Sequence, residues 1–178
     1  KEKKVLKIIL IGAGSSGETG KNALIRRYLD NEFFDGSGRV ALLGIDLHEK
    51  IITLDEFKIK LEISNTPNQE RFFSINCDFA LRSDGIIFVF SINNRDSFEK
   101  IKYRIQNLKD KNKECIICAN KCDLVEERKI TTEEIEQLEL ESNMKMFETS
   151  AVNGQNVKEA FDYLIRLIIN KKKREGLL

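Results

Sequence analysis

The sequence lacks any apolar run approaching the ~20 residues of a membrane-spanning helix, so no segment of it reads as transmembrane. It lacks an excess charge of one sign. Thirty Lys and Arg stand against 29 Asp and Glu, which excludes a global field aimed at nucleic acid. There is no internal repeat, no low-complexity linker and no visible secretory signal. Cysteine is scarce, at four residues: Cys77, Cys115, Cys118 and Cys122. Cys115 and Cys118 have the CxxC spacing of zinc and redox sites, but no second CxxC and no HxxxH completes a metal set. The pair lies inside the apolar run Cys115–Ala119, which reads as a buried strand. Positions three apart on a strand face opposite sides. All four cysteines are expected to be reduced thiols in a cytoplasmic protein.

What is present describes one domain. A chain of 178 residues buries roughly 70% of its unfolded surface in a single core, so neither metal nor disulfide is needed for folding. Hydrophobic content of 41% and charged content of 33% place it among globular chains.

Strand-like and helix-like segments alternate. Val5–Ile11 is a continuous apolar run ending at Gly12, as expected of a buried parallel strand. Lys21–Leu29 predicts a helix. Ile45–Leu54 and Phe57–Ile63 alternate apolar and polar residues around Asp55-Glu56, which predicts a hairpin. Gly85–Ser91, Ile116–Ala119 and Met144–Glu148 predict three more strands. Asp96–Lys111, Thr131–Leu140 and Asn156–Ile169 have amphipathic helical spacing, with Thr131 and Glu134 fitting a capping box. Such alternation implies a parallel sheet covered on both faces by right-handed crossovers. Ligands of such sheets bind outside the carboxyl ends of the strands, and each motif below directly follows a predicted strand.

Two loops carry the strongest chemistry. Asn120-Lys121-Cys122-Asp123 follows the strand ending at Ala119. A carboxylate there can accept two parallel hydrogen bonds from guanine, one from the ring N–H and one from the exocyclic amine. Adenine lacks that donor pair, and a buried charge left unpaired discriminates against it. The Lys121 stem can lie along the base, and the Asn120 side chain can tie the loop together. Glu148-Thr149-Ser150-Ala151 follows the next strand, one helix further on. A backbone N–H in that turn can reach the guanine carbonyl oxygen. The candidate guanine-binding set is therefore Asn120, Lys121, Asp123, Ser150 and Ala151.

The succession of a glycine-rich loop, Gln69-Glu70-Arg71-Phe72, Asn120-Lys121-Cys122-Asp123-Leu124 and Glu148-Thr149-Ser150-Ala151 is similar to the Ras superfamily. Arg26-Arg27-Tyr28, Asn31-Glu32-Phe33, Asp84-Gly85-Ile86-Ile87 and Asp96-Ser97-Phe98 resemble the Rab branch in particular. The likeness runs from about Val5 to Ile169. It implies an α/β P-loop small G-domain: a six-stranded, mostly parallel sheet with one antiparallel edge strand and about five helices on both faces. The domain would span residues 1–170, with a basic tail over 171–178. GDP or GTP is the implied ligand, with Mg²⁺. Effector proteins, an exchange factor and a GTPase-activating protein are the implied partners of a monomeric, nucleotide-switched regulator of membrane traffic. Phe33 matches the aromatic that packs against the base, and Gln69 the residue that orients the attacking water. Val40–Leu47 and Phe72–Phe79 match the effector-facing surface.

The phosphate-facing elements depart from the family pattern GxxxxGK[ST], whose backbone N–H groups cradle phosphates. Here the segment runs from Gly12 to Asn22 and admits two registers. Counted from the strand, Gly12 and Gly17 are correctly spaced, and Glu18 then stands where the lysine belongs. Counted back from Leu24-Ile25-Arg26-Arg27-Tyr28, Gly20 and Lys21 fall correctly in a loop three residues too long. The second register is preferred because it keeps a cation on the phosphates. The candidate phosphate-binding residues are Gly17, Glu18, Thr19, Gly20, Lys21 and Asn22. Asn22 replaces the Ser/Thr that holds magnesium and is the weak metal candidate. Leu42 stands at the switch threonine, and the family's DTAG reads Asn65-Thr66-Pro67-Asn68.

Two readings follow. One is a Rab-like guanine-nucleotide switch in vesicle traffic or signalling, with slow GTP hydrolysis and impaired Mg²⁺ coordination. The other is a pseudo-GTPase, a protein-interaction module without useful turnover. A zinc or redox protein is disfavoured by the strand reading of the CxxC, and an ATPase is opposed by Asp123. The end of the sequence, Gly176-Leu177-Leu178, carries none of the prenylated cysteines usual in Rab proteins. The sequence is a truncated piece, the domain continues into a longer chain, or the protein is not lipid-anchored. Localisation is expected to be cytoplasmic, peripheral on endomembranes where lipidated.

Overall fold

The computed structural model describes residues 4–14, 19–33, 44–108 and 112–178. Six strands form one sheet: β1 (Lys4–Gly12), β2 (Asp46–Leu54), β3 (Phe57–Asn65), β4 (Gly85–Ser91), β5 (Glu114–Asn120) and β6 (Lys145–Thr149). Their spatial order is β2-β3-β1-β4-β5-β6. Only the β2–β3 pair is antiparallel. The hairpin joining it turns at Asp55, which takes a left-handed φ of 52°, as Asp tolerates. β2 forms the edge and exposes most of its length, Leu47 and Ile51 included. Lys and Glu residues along it are the usual guard of an open edge.

Five α-helices cover the sheet: α1 (Lys21–Asp30), α2 (Phe73–Arg82), α3 (Arg95–Leu108), α4 (Thr132–Ser142) and α5 (Val157–Arg174). The period of two in β1 divides its side chains between two cores. Leu6, Ile8 and Leu10 join the core under α1 and α5, while Ile9 and Ile11 join the one under α2, α3 and α4. Tyr28 of α1 stacks on Phe161 of α5 with ring centroids 4.3 Å apart and donates its hydroxyl to Asp162 at 2.9 Å. Burial, then Asp162, push the Tyr28 phenol well above its ordinary pKa. α4 begins with the expected capping box: the Glu134 N–H donates to Thr131 Oγ1 at 3.2 Å, and the Thr131 N–H donates to the Glu134 carboxylate at 2.9 Å.

Cys118 belongs to the first core and Cys115 packs against the second. The CxxC is thus split across the sheet, as a strand requires. All four cysteines are free, and no cluster of three His, Cys, Asp or Glu able to hold a metal occurs among the described residues. No described helix is long and apolar enough to cross a membrane. The basic run 171–174 is the last turn of α5. Within it Lys172 pairs with Asp84 at 2.6 Å, and Lys173 lies over the Phe57 ring at 4.4 Å.

The helix that the sequence pattern does not reveal is α2. Phe73, Cys77 and Ala80 face the second core beside the buried Asn76, but Ile75, Phe79 and Leu81 of the same helix are exposed, so no one-sided apolar stripe marks it.

Candidate nucleotide site

β1 lies between β3 and β4, so the chain winds to both sides of it. The carboxyl end of β1 is therefore the switch point where such sheets bind ligands. The loops following β1, β3, β5 and β6 all open there.

Asn120 ends β5 and is buried. Its side-chain amide donates to the Thr19 carbonyl at 2.9 Å, and its Oδ1 accepts from the Thr149 hydroxyl at 3.1 Å. One side chain thereby joins the loop after β1, the loop after β5 and the end of β6. The Cys122 N–H donates to the Thr149 carbonyl at 3.0 Å and adds a backbone tie between the same two loops. Lys121 between them takes a left-handed φ of 63°, which turns the chain sharply before Asp123.

Ser150 is buried and donates its hydroxyl to Asp123 Oδ1 at 2.7 Å. An ionised carboxylate offers about four lone-pair sites, so this bond orients Asp123 while leaving it able to accept from a ligand. The 150–156 turn is itself braced. Gly154 N–H donates to the Ser150 carbonyl at 2.8 Å, and the Asn156 amide donates to the Glu148 carbonyl at 2.8 Å. Arg27 of α1 reaches the same turn, donating from Nε to the Ala151 carbonyl and from Nη2 to the Val152 carbonyl, each at 2.8 Å. Arg128 pairs with Glu148 behind it. Arg27 and Arg128 brace the site, a role the motif reading gave to neither. Their signals, an Arg27 fork on backbone carbonyls and an Arg128 ion pair with Glu148, exist only once the loops meet.

On the phosphate side, Gly17 and Glu18 lie outside the described residues, as does Leu42. Gly20 precedes α1 with φ 75°, and a Cβ on it would stand 2.7 Å from Asn120 Nδ2. Both the conformation and the close approach require glycine. α1 starts without a side-chain cap and without an acidic residue in its first turn, which leaves its N-terminal N–H groups and positive dipole end to an anion. Lys21 is the first residue of this helix and is only 6% exposed. A Cβ on Gly12 would lie 2.6 Å from Thr19 Oγ1, 2.6 Å from Asn68 Oδ1 and 3.0 Å from Lys21 Nζ. Those three polar atoms therefore gather at the end of β1. Thr19 Oγ1, Asn22 Oδ1 and Asn65 Oδ1 are buried acceptors without a hydrogen-bond partner. A protein rarely leaves such atoms unsatisfied unless something else satisfies them.

Gln69 precedes the short 3₁₀ turn Glu70–Phe72, and its Oε1 accepts from Arg71 Nε at 2.8 Å. Phe33 is 46% exposed and closes the described segment 19–33.

The sequence model of the Ras family matches residues 7–170. The chain belongs to the Ras family. Among its relatives, the Ras-related protein Rab-8B of Homo sapiens is 37% identical over 174 residues, covering 96% of this chain and 82% of the relative. Rab-13 of Rattus norvegicus is 35% identical over 170 residues, covering 94% and 81% respectively. Rab-15 of Homo sapiens is 32% identical over 178 residues, covering 97% and 82%. The six-stranded sheet and the five helices are those of a Ras-like G domain. This Ras-family chain is thus a Rab-like small GTPase, of a family of GTP-binding traffic switches.

Proposed function

We propose that this chain binds GDP and GTP through Asp123 and the α1 N-terminus, hydrolyses GTP slowly and holds magnesium weakly. The observation that carries the proposal is the position of Asn120. It couples the loop bearing Lys21 to the loop bearing Asp123 and to the strand bearing Thr149. Base and phosphate elements are thereby held in one frame, with the Asp123 carboxylate oriented by Ser150. Guanine is selected by its paired N–H donors on that carboxylate, with the stem of Lys121 along the base and a backbone N–H near Ala151 toward the carbonyl oxygen. Phe33 would cover the base edge.

The phosphates would meet Gly20, Lys21 and the open N–H groups of α1. The unpartnered oxygens of Thr19, Asn22 and Asn65 fit a ligand that supplies donors or a cation there. For magnesium the fit is partial: Asn22 and Asn65 would offer neutral amide oxygens, where a hard dication favours carboxylates. When bound, that ion neutralises phosphate charge, and two neutral ligands support this less well than charged ones. Gln69, the candidate for orienting water, has its carbonyl oxygen on Arg71 and would have to leave it to act. Effectors, an exchange factor and a GTPase-activating protein are the partners of such a switch.

The Gln69–Arg71 bond and the engagement of Lys21 by Asn68 favour a second reading, a pseudo-GTPase that acts as a protein-interaction module without useful turnover. One experiment separates the readings. The purified protein is denatured and any released nucleotide identified, then GDP and GTP are titrated with and without Mg²⁺. No binding at millimolar nucleotide sinks the first reading and leaves the interaction module. Binding without phosphate release over a day selects the pseudo-GTPase. Lys21→Ala and Glu18→Ala, made separately, decide the register: Lys21→Ala lowers GDP affinity if Lys21 lies on the phosphates, whereas in the other register it leaves affinity unchanged and Glu18→Ala raises it by removing an anion.

A further inference from the structure

Asn68 stands three residues beyond the end of β3 and is 4% exposed. Its surroundings fix the backbone that carries it. Thr66 donates its hydroxyl to the Leu10 carbonyl at 2.7 Å, and the Asn76 amide donates to the Pro67 carbonyl at 2.9 Å. Arg104 of α3, 1% exposed, donates from Nη2 to the Asn68 carbonyl at 2.9 Å. Held in this way, the Asn68 side chain points its amide oxygen at the Lys21 ammonium, which donates to it. The contact forms at the end of β1, where only Gly12 leaves room.

A lysine ammonium has three donors and no acceptor. In the reading proposed above, on which this inference rests, those donors face the phosphate chain. One of them is already taken by an oxygen that belongs to the protein. That oxygen carries partial negative charge, is buried, and sits on a backbone pinned at three successive residues. A terminal phosphate seeking the same donor must displace it, and it meets repulsion from the amide oxygen until it does. A diphosphate, one phosphoryl group shorter, leaves the contact intact.

We propose that Asn68 is the specificity-determining residue of the phosphate site: its amide oxygen stands in for a terminal phosphate oxygen on Lys21, so the site selects guanosine diphosphate over triphosphate. The fixed occupancy also makes the post-β3 loop insensitive to the terminal phosphate. The loop is already held by Lys21 on one side and Arg104 on the other.

The test is a pair of dissociation constants, for GDP and for a slowly hydrolysed GTP analogue, measured by displacement of a fluorescent GDP from the full chain. The wild type is expected to bind the diphosphate at least about ten-fold more tightly, the scale of one charge-assisted hydrogen bond. Asn68→Ala is expected to move the ratio about ten-fold toward the triphosphate. Asn68→Asp, which keeps the shape and puts a full charge on Lys21, is expected to move it the other way; it gives an independent answer if the alanine variant does not fold. A ratio that neither variant moves, with GDP still bound, overturns the proposal and leaves nucleotide binding standing. A shift of Asn68→Ala toward the diphosphate overturns it too, since the amide would then be donating to the terminal phosphate. Absence of any nucleotide binding by the wild type overturns both.

Discussion

Asn120 and Thr19, separated by 101 positions in sequence, are joined by a 2.9 Å hydrogen bond from the Asn120 side-chain amide to the Thr19 carbonyl. The bond is buried, and the same side chain accepts from Thr149. Truncating it therefore leaves two buried polar groups unpaired.

Asn120→Ala is expected to lower unfolding free energy by about 2–3 kcal/mol, the scale for stranding buried hydrogen-bonding groups. GDP affinity should fall at least ten-fold alongside. Urea unfolding and nucleotide titration on the same preparation check both. A loss of binding with unchanged stability would mean that the amide acts on the ligand rather than on the loops.

The carboxylate of Asp123 is oriented by Ser150 at 2.7 Å, and in the proposed function it accepts from two guanine N–H groups at once. Hypoxanthine keeps the ring N–H and lacks the exocyclic amine. The wild type is expected to bind inosine diphosphate about ten- to a hundred-fold more weakly than GDP, and Asp123→Ala to bring that ratio close to one. Competition titrations of the two nucleotides read the ratio directly.

Burial pushes the Cys118 thiol from 9.0 up to about 12, and Cys115 in the same direction to about 12. A thiol whose folded pKa is raised stays protonated in the native state while the unfolded chain ionises. Its contribution is complete below pH 9 and is lost as pH rises from 9 toward 12. For the fully buried Cys118 the loss is on the order of 1 kcal/mol at pH 10. Denaturant unfolding at pH 7.5 and pH 10 should show it, and Cys118→Ala should shrink the difference. Rapid labelling of Cys118 by a thiol reagent at neutral pH would contradict this account.

At the start of α4, Thr131→Ala removes the acceptor for the Glu134 N–H and should cost about 1 kcal/mol of stability. Glu134 is held down to about 2, chiefly by the Arg95 guanidinium and next by the Thr131 N–H. A carboxyl with a depressed pKa stabilises above its unfolded value, near 4.5, and loses that contribution as pH falls toward 2. Glu134→Gln should therefore match the wild type more closely at pH 2 than at pH 7, by thermal unfolding at each pH.

The sequence by itself determined the sheet and most of its cover. The apolar runs 5–11, 85–91 and 116–119 had nowhere to go except into a buried parallel sheet, and the motifs had to fall at its carboxyl edge. The order of those motifs alone identified the family, and the strand period alone separated Cys115 from Cys118. α2 stayed hidden because its inward residues Phe73, Cys77 and Ala80 are matched by Ile75, Phe79 and Leu81 left exposed, so no one-sided stripe shows in the sequence. Arg104 shows the same limit from the other side. By residue type it belongs in water, yet it lies under the Phe73 ring at 4.8 Å with its Nη2 on Asn68. Burial draws its guanidinium below the usual value, Glu70 opposing. Lys21 was legible as a candidate phosphate ligand by its place at the start of α1, whereas its contact with Asn68, 47 residues away, was not. Local pattern reports which face of an element is apolar. Which polar side chain reaches which across the strand ends depends on how β1, β3 and α3 pack together, and only the tertiary structure decides that.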